Sequence, residues 1–343
     1  MILFKNKEKW GNFGGNINIY QDLNTSDIDK LICEPNIHSI QFYEFKTPNN
    51  KTWTVINDIY KNYPEIGLTI FWYDPLDFDF INKVSNVKDL SIKSYLTNDF
   101  TPILRLKELK ALHIGETKLT SVDLSFINNF SSLRILSIDG MKKGLESIQN
   151  LHDLWSLNLR GVKLKNLDFI GGLNNLRLLK LMFGSYESLS SLKKLSELEY
   201  LGISRTRKIS DYEFLKSLHK LQFLHFEGLS QMESLPDFSG LKELKKLQIE
   251  NLSKLSNINS VRQLSQLKEF LLFIPENFKA SLRDSIWEQA YLNMLGDLNN
   301  LELTNLFYWD KDGKMIELEK RGIKKWNYGL TKWKQNSEGG WTL

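Results

Sequence analysis

The chain has 343 residues, of which 41% are hydrophobic and 25% are charged, and its formal net charge is only +4. So balanced a charge does not by itself indicate a nucleic-acid partner. The single cysteine, Cys33, excludes an intramolecular disulfide framework and a cysteine-cluster zinc site. The N-terminus lacks the apolar core of a secretion signal, and no run of about 18 apolar residues exists. We therefore expect no membrane span and a cytoplasmic location.

Residues 1–34 carry no repeat and are the predicted N-terminal cap. Residues 13–16, Phe-Gly-Gly-Asn, indicate a turn, and residues 16–20 alternate in polarity like a strand. Thr25-Ser26-Asp27 indicates the start of a short helix. The open end of a repeat array exposes apolar core, and a capping element usually covers it.

Residues 35–86 contain two degenerate, longer repeat units. The strand-like sequence Ile37-x-x-Ile40-x-Phe42 comes first, and a second strand is predicted around Leu68. Between them, residues 53–63 have apolar side chains at helical spacing. Regular repeats are predicted over residues 87–272.

One pattern, Leu-x-x-Leu-x-Leu with occasional Ile or Phe, recurs at nearly fixed intervals in the second half of the regular repeats. The intervals are 21, 22, 22, 23, 23 and 23 residues. The units begin at Leu133, Leu154, Leu176, Leu198, Leu221, Leu244 and Leu267.

The spacing within each unit predicts a strand followed by a return leg. The fourth and sixth positions are two residues apart, which places both on one face of a strand. Between strands, apolar residues recur at every third position, for example Leu189, Leu192 and Leu195. Three residues per turn is typical of a 3₁₀-like leg. Each unit can bury both apolar edges only against its neighbours, so the pattern predicts a stacked solenoid with a parallel sheet.

This period and spacing resemble the leucine-rich repeat family. The resemblance implies an α/β fold, a right-handed horseshoe solenoid with its parallel sheet on the concave face, built from the short repeats of bacterial cytoplasmic members. Many such repeats carry an asparagine ladder three residues after the sixth position. Here apolar and threonine residues are expected to fill that corner instead. The column reads Tyr95, Thr117, Met141, Val162, Gly184, Thr206, Leu229 and Leu252.

The predicted solenoid spans residues 35–305. Residues 273–305 form an enlarged repeat, in which a helix is predicted to start at Pro275. Residues 306–343 are a separate C-terminal cap, with a hairpin predicted around Asp312-Gly313. From residue 320 to 334 there are six basic residues and no acid, interleaved with aromatics. These aromatics are expected to cover the last repeat; the alternative is nucleic-acid or anionic-surface binding.

No motif indicates catalysis, a cofactor or a metal site. The five histidines form no ligand pair, and no phosphate-binding loop, dinucleotide fingerprint or Gly-x-Ser-x-Gly sequence exists. Cys33 lies in the predicted cap, with no separate domain to house thiol chemistry. The sequence therefore predicts a protein that is not an enzyme and holds no cofactor.

The third, fifth and seventh positions of each strand are predicted to face away from the core, on the concave side. Large apolar and cationic side chains gather there in the middle of the array, which is how a protein-binding patch is built. The alternative is that the third-position residues only pack sideways along the sheet. The candidate partner-binding residues are Ile135, Arg160, Leu178, Lys180, Met182, Phe183, Tyr200, Arg205, Phe223 and His225.

These observations favour a non-catalytic scaffold that binds a protein partner on the concave face. By analogy with the family, it could neutralise a toxin or act as an adaptor. A monomer is the expected state, and a nucleic-acid partner is not expected.

Overall fold

A computed structural model describes residues 8–43, 45, 48–115, 117–119, 121–310, 312–327, 334–335 and 341–342. The chain divides into two compact units, Met1–Leu154 and Trp155–Leu343. We call them the first and the second unit.

The first unit begins with an antiparallel hairpin, after which every strand is parallel to its neighbour. Gly14 and Gly15 form the predicted turn, both with positive φ, a conformation that glycine adopts at little cost. Strands pair in chain order from β2 to β7. The strands are β1 (Trp10–Phe13), β2 (Asn16–Ile19), β3 (Ser39–Phe42), β4 (Gly67–Trp72), β5 (Asp89–Ser94), β6 (Ala111–Ile114) and β7 (Ile135–Asp139).

Two helices connect the early strands of the first unit. Helix α1 (Ile28–Ile32) follows a 3₁₀ turn, Thr25–Asp27, whose first backbone amides are capped by the Asn24 side chain. Helix α2 (Asn50–Asn62) is capped by the Asn49 side chain, which accepts a hydrogen bond from the Thr52 amide at 2.9 Å. The helix predicted over residues 53–63 is thus confirmed, with an earlier start.

In the second unit, each long strand pairs in parallel with the equivalent strand of the next turn, in register. These are β8 (Ser156–Arg160), β10 (Leu178–Met182), β12 (Tyr200–Ser204), β13 (Phe223–Glu227), β14 (Lys246–Glu250) and β15 (Glu269–Phe273). The shorter ones are β9 (Lys163–Leu164), β11 (Ser185–Tyr186), β16 (Leu303–Thr304), β17 (Lys324–Lys325), β18 (Lys334–Gln335) and β19 (Trp341–Thr342).

Most return legs contain one short 3₁₀ helix, as the apolar spacing of three predicted. In the first unit these are Asp79–Lys83, Thr101–Arg105, Ser125–Asn129 and Leu145–Asn150. In the second they are Asp168–Ile170, Ser190–Lys194, Glu213–Ser217 and Asn259–Gln263. The leg between β13 and β14 contains none, although its apolar residues keep the same spacing.

The apolar columns of the repeat pattern form the core. Leu179, Leu181, Leu201 and Ile203 occupy fourth and sixth positions, and all are completely buried. In the second unit, the corner without an asparagine ladder is filled as expected, whereas Tyr95 of the first unit is exposed. The buried Thr206 hydroxyl lies within hydrogen-bonding distance of the carbonyls of Leu181 and Ser204, and Val162, Leu229 and Leu252 are buried there.

The elements after β15 differ in part from the sequence prediction. Helix α3 (Ala280–Gly296) begins at Ala280 rather than at Pro275. The hairpin predicted around Asp312-Gly313 is wrong. A 3₁₀ helix, Leu306–Trp309, and helix α4 (Met315–Lys320) stand there instead. The reason is local: the Asp310 carboxylate accepts hydrogen bonds from the amides of Lys314 and Met315, which satisfies the free donors at a helix start.

Candidate functional site

The candidate residues of the second unit lie on the sheet face opposite the core. Because successive side chains of a strand alternate between faces, the third, fifth and seventh positions share this face, which we call the outer face. The parallel register aligns each column across neighbouring strands, for example Leu178 with Tyr200 and Tyr200 with Phe223. Residues distant in sequence thereby become neighbours.

The third column is itself buried, although it lies on the outer face. Leu178, Tyr200 and Phe223 form a separate apolar cluster, with relative exposures of 3%, 6% and 5%. The half-buried Trp155 packs against it. The Tyr200 and Phe223 rings meet edge to face, with centroids 4.8 Å apart. Burial raises the pKa of the Tyr200 hydroxyl, and the nearby Glu250 carboxylate adds to the effect.

Two lysines lie over the rings of this cluster. Lys180 Nζ is 5.5 Å from the centroid of the Tyr200 ring, and Lys246 Nζ is 4.7 Å from that of Phe223. Both distances are within the range of cation–π attraction. Burial lowers the pKa of both lysines. The apolar cluster is therefore covered by cationic groups.

A second contact group lies where the strands end. The Phe183 ring, 39% exposed, lies beside two guanidinium groups. The Cζ atoms of Arg160 and Arg205 are 4.7 and 5.5 Å from its centroid. Arg205 Nε also donates a hydrogen bond to Glu227 Oε1 at 3.0 Å. We call Arg160, Phe183 and Arg205 the strand-exit cluster.

Farther along the outer face, His225 Nε2 lies 3.2 Å from Glu250 Oε1. The contact with the His225 imidazole is the largest cause of the lowered pKa of the Glu250 carboxyl. Burial acts in the opposite direction and raises this pKa, whereas the hydrogen bond from the Gln248 amide lowers it further. The two side chains thus form an electrostatically linked pair beside the apolar cluster.

We expect NMR to show that the Glu250 carboxyl titrates below its ordinary value of about 4.5, and that His225→Ala moves the midpoint upward. A lowered carboxyl pKa contributes stability above pH about 4.5, which is lost as the pH falls through the folded-state pKa. The stability difference between wild type and His225→Ala should therefore shrink as the pH falls through the folded-state pKa of Glu250. An unchanged Glu250 midpoint in His225→Ala would contradict the linkage.

The structure separates the predicted site residues into three classes of accessibility. Arg160, Phe183 and Arg205 are exposed; Lys180, Met182 and His225 are half-buried; Leu178, Tyr200 and Phe223 are buried. Ile135 lies on β7 of the first unit and is half-buried. The sideways packing considered from the sequence is therefore present in the third column. The role of these residues in partner binding stays a prediction.

Some residues of interest were missed by the sequence analysis. Lys246 and Glu269 continue the third column on β14 and β15, and their column position was the available signal. In the first unit, exposed aromatic rings form two close pairs. Tyr43 and Phe71 are 4.9 Å apart, and Tyr73 and Tyr95 are 5.4 Å apart.

The basic and aromatic segment near the C-terminus is only partly described. Trp326 is buried against Leu271 and Leu303, and its ring lies 5.4 Å from that of Phe273. Lys325 Nζ lies 4.2 Å from the centroid of the Tyr308 ring. Tyr328 and Trp333, the other two aromatic residues of the predicted segment 320–334, lie outside the described residues. The covering role predicted for this segment agrees with the packing of Trp326.

In the part of the chain that the structure describes, none of the helices combines the length and the apolar character that crossing a membrane requires. No protein-family model matches the chain, and no curated protein sequence matches it.

Solved structures with a similar fold share little sequence with this chain. An internalin from Listeria monocytogenes is 17% identical over 82% of this chain and 87% of its own, with a TM-score of 0.43. A leucine-rich repeat protein from Leptospira interrogans is 16% identical over 77% of this chain and 93% of its own, with a TM-score of 0.36. The plant peptide hormone receptor RGFR1, in complex with RGF2, is 19% identical over 78% of this chain and 45% of its own, with a TM-score of 0.43.

The assignment rests on the chain's own repeats. Each regular turn contributes one parallel strand and one return leg, and leucine-rich columns line both inward edges. The chain therefore has the leucine-rich repeat fold.

Proposed function

We propose that this protein is a non-catalytic scaffold that binds another protein on the outer sheet face of the second unit. The observation that carries the proposal is the strand-exit cluster, in which an exposed phenylalanine ring lies close to two guanidinium groups. Aromatic and arginine side chains dominate the energetics of protein interfaces. Next to the cluster, the buried third column supplies a rigid floor, and Lys180, Met182 and His225 supply a half-buried border.

The size of this face also suits a macromolecule. Six in-register strands spaced by about 4.8 Å form a surface about 24 Å across, before side chains and strand exits are added. A small metabolite would instead need an enclosing cleft. The two biological roles proposed for this surface are neutralisation of a protein toxin and recruitment of a protein partner as an adaptor.

Charge reversal at Arg160 tests the proposal better than truncation of Tyr200 or Phe223, whose burial means that truncation would also disturb packing. The wild-type protein is used to capture proteins from its native lysate, and the captured proteins are identified by mass spectrometry. We expect the Arg160→Glu variant to fail to capture them. The matched control is Lys193→Glu, an exposed lysine on the return leg. Equal capture by the two variants would place the binding surface elsewhere.

The alternative function, nucleic-acid or anionic-surface binding through residues 320–334, has less support. A base-stacking platform requires accessible rings. The Trp326 ring is buried in contact with Leu271 and Leu303.

A further inference from the structure

We infer that the strand-exit cluster receives an acidic segment of the protein partner, and that a strained backbone holds Phe183 and Arg205 in position for it. This inference rests on the proposed function and specifies the chemistry of the partner. It is based on two independent features of the second unit, the backbone conformation at the strand ends and the cationic residues near Phe183.

The residue that follows each of the strands β8, β10, β12, β13 and β14 adopts a left-handed conformation. The φ angles at these positions are 68°, 53°, 47°, 60° and 55°. Each amide there donates to a carbonyl of the next turn; those of Phe183 and Arg205 donate to Ser204 and Glu227 at 2.8 and 2.7 Å. In these five turns the left-handed conformation therefore accompanies a hydrogen bond to the next turn. The residues are Gly161, Phe183, Arg205, Gly228 and Asn251.

Only two of these five residues are poorly suited to a left-handed backbone. Glycine has no Cβ to clash, and asparagine is the side chain that tolerates the region best. Phenylalanine and arginine adopt it at a steric cost, and such strain persists where the surrounding structure and a function maintain it. The two strained residues are the two whose side chains meet, with the guanidinium of Arg205 5.5 Å from the Phe183 ring.

The neighbouring turn leaves space for this arrangement. A Cβ built on Gly228 would lie 2.8 Å from Cγ of Arg205. A side chain at position 228 would therefore displace the Arg205 stem. The absence of one lets Arg205 lie across the next turn, where its Nε reaches Glu227.

Several cationic residues lie close to Phe183 or to its neighbours in the chain. Arg160 and Arg205 lie beside the ring, and the backbone of Arg207 is bonded to that of Gly184, next to Phe183. Lys163 pairs in register with Ser185, and Lys208 follows Arg207. Two of these cations are paired with carboxylates, Arg205 with Glu227 and Lys208 with Glu187. A group of cations beside an exposed aromatic ring favours a partner that supplies carboxylates together with an apolar group.

A display library of random 12-residue peptides, selected on the full chain, tests the inference. We expect the selected peptides to be enriched in aspartate and glutamate. We expect Phe183→Asn to bind them about tenfold or more weakly, the size of effect typical of a central interface aromatic. The thermal midpoint of Phe183→Asn should not fall, because asparagine suits the left-handed backbone. The control Asn251→Gly, at the equivalent position away from Phe183, should bind the peptides like wild type.

The outcomes separate the inference from the proposed function. Loss of peptide binding in Arg160→Glu but not in Phe183→Asn would support the proposed surface and overturn the inference. Unchanged binding in both variants would overturn both. Selected peptides that are basic or uncharged, or a library that yields no peptide above background, would overturn the acidic partner.

Discussion

Replacing Gly240 by alanine is expected to destabilise the second unit by about 3 kcal/mol, the upper part of the range for overpacking a well-packed site. A Cβ at this position would lie 2.1 Å from the carbonyl oxygen of Lys216, and 2.4 Å from its carbonyl carbon. The obstacle is backbone, which cannot rotate away as a long side chain can. The clash is with the 3₁₀ helix Glu213–Ser217 of the preceding turn.

The physical reason lies in the return leg that carries Gly240. The leg between β13 and β14 forms no 3₁₀ helix, and Gly240 is buried against the helix of the turn before. The Gly240 carbonyl oxygen lies 2.9 Å from His219 Nδ1, which further fixes this close approach. A shift of the Gly240 backbone would therefore also disturb its contact with His219.

Gly172 provides a matched control within the same unit. It precedes Leu173 as Gly240 precedes Leu241, at the same position of the repeat. Among the described residues, no atom outside its immediate neighbours lies within 4 Å of a Cβ built there. Gly172→Ala should be neutral or stabilising by up to about 1 kcal/mol, because alanine restricts the unfolded chain. Urea unfolding followed by circular dichroism measures both; equal stabilities of the two variants would contradict the argument.

These two glycines show what periodicity can and cannot predict. The columns of Leu179, Leu181 and their equivalents were assigned from spacing alone, because burial of a repeated edge requires a repeated residue type. The distance between adjacent return legs depends on whether each leg forms a helix. Packing between turns determines whether a return leg forms a helix. Gly172 and Gly240 therefore occupy equivalent positions in the sequence although their surroundings differ.

The candidate site was predictable in its location but not in its accessibility. Alternation places Leu178, Tyr200 and Phe223 on the outer face, and register makes them neighbours. It does not show that neighbouring large side chains cover one another, which leaves each less than 10% exposed. The left-handed backbone at Phe183 could have been inferred, because glycine or asparagine occupies the same position in other turns.

Local turn chemistry explains the error near the C-terminus. An Asp-Gly pair between apolar runs is typical of a hairpin. Here Gly313 does have positive φ, but the upstream Asp310 caps a helix instead. The competing signal, an aspartate at a helix start, was present in the same few residues.

Removing Glu269 from the buried ion pair Lys246–Glu269 is expected to cause a large loss of stability. Nζ and Oε2 are 3.4 Å apart, and each side chain is only 4% exposed. Glu269→Leu should destabilise the protein by about 3–5 kcal/mol, because the ammonium group would stay buried without its carboxylate. Replacing both residues, as Lys246→Met with Glu269→Leu, should restore stability to within about 1 kcal/mol of wild type, since the desolvation cost of both charges disappears.

The pH dependence of Glu269→Leu provides an independent check. Burial lowers the pKa of Lys246 in the folded state and Glu269 raises it, so removing the carboxylate should lower that pKa further. Below the folded-state pKa the lysine is charged in both states, and the full cost is present. Between that value and the ordinary value of 10.5, the folded state releases its proton first, so stability rises with pH. The deficit of Glu269→Leu relative to wild type should therefore shrink between pH 7 and 10.

An exposed ion pair on neighbouring residues serves as the control. Lys268 Nζ and Glu302 Oε1 are 2.9 Å apart, but their side chains are 39% and 47% exposed. Because water solvates either charge when the other is removed, Lys268→Met should change stability by no more than about 1 kcal/mol. A Glu269→Leu variant as stable as Lys268→Met, with no dependence on pH, would mean that water reaches Lys246 in solution. The outer face would then be open at the third column, and Tyr200 and Phe223 would become accessible to a partner.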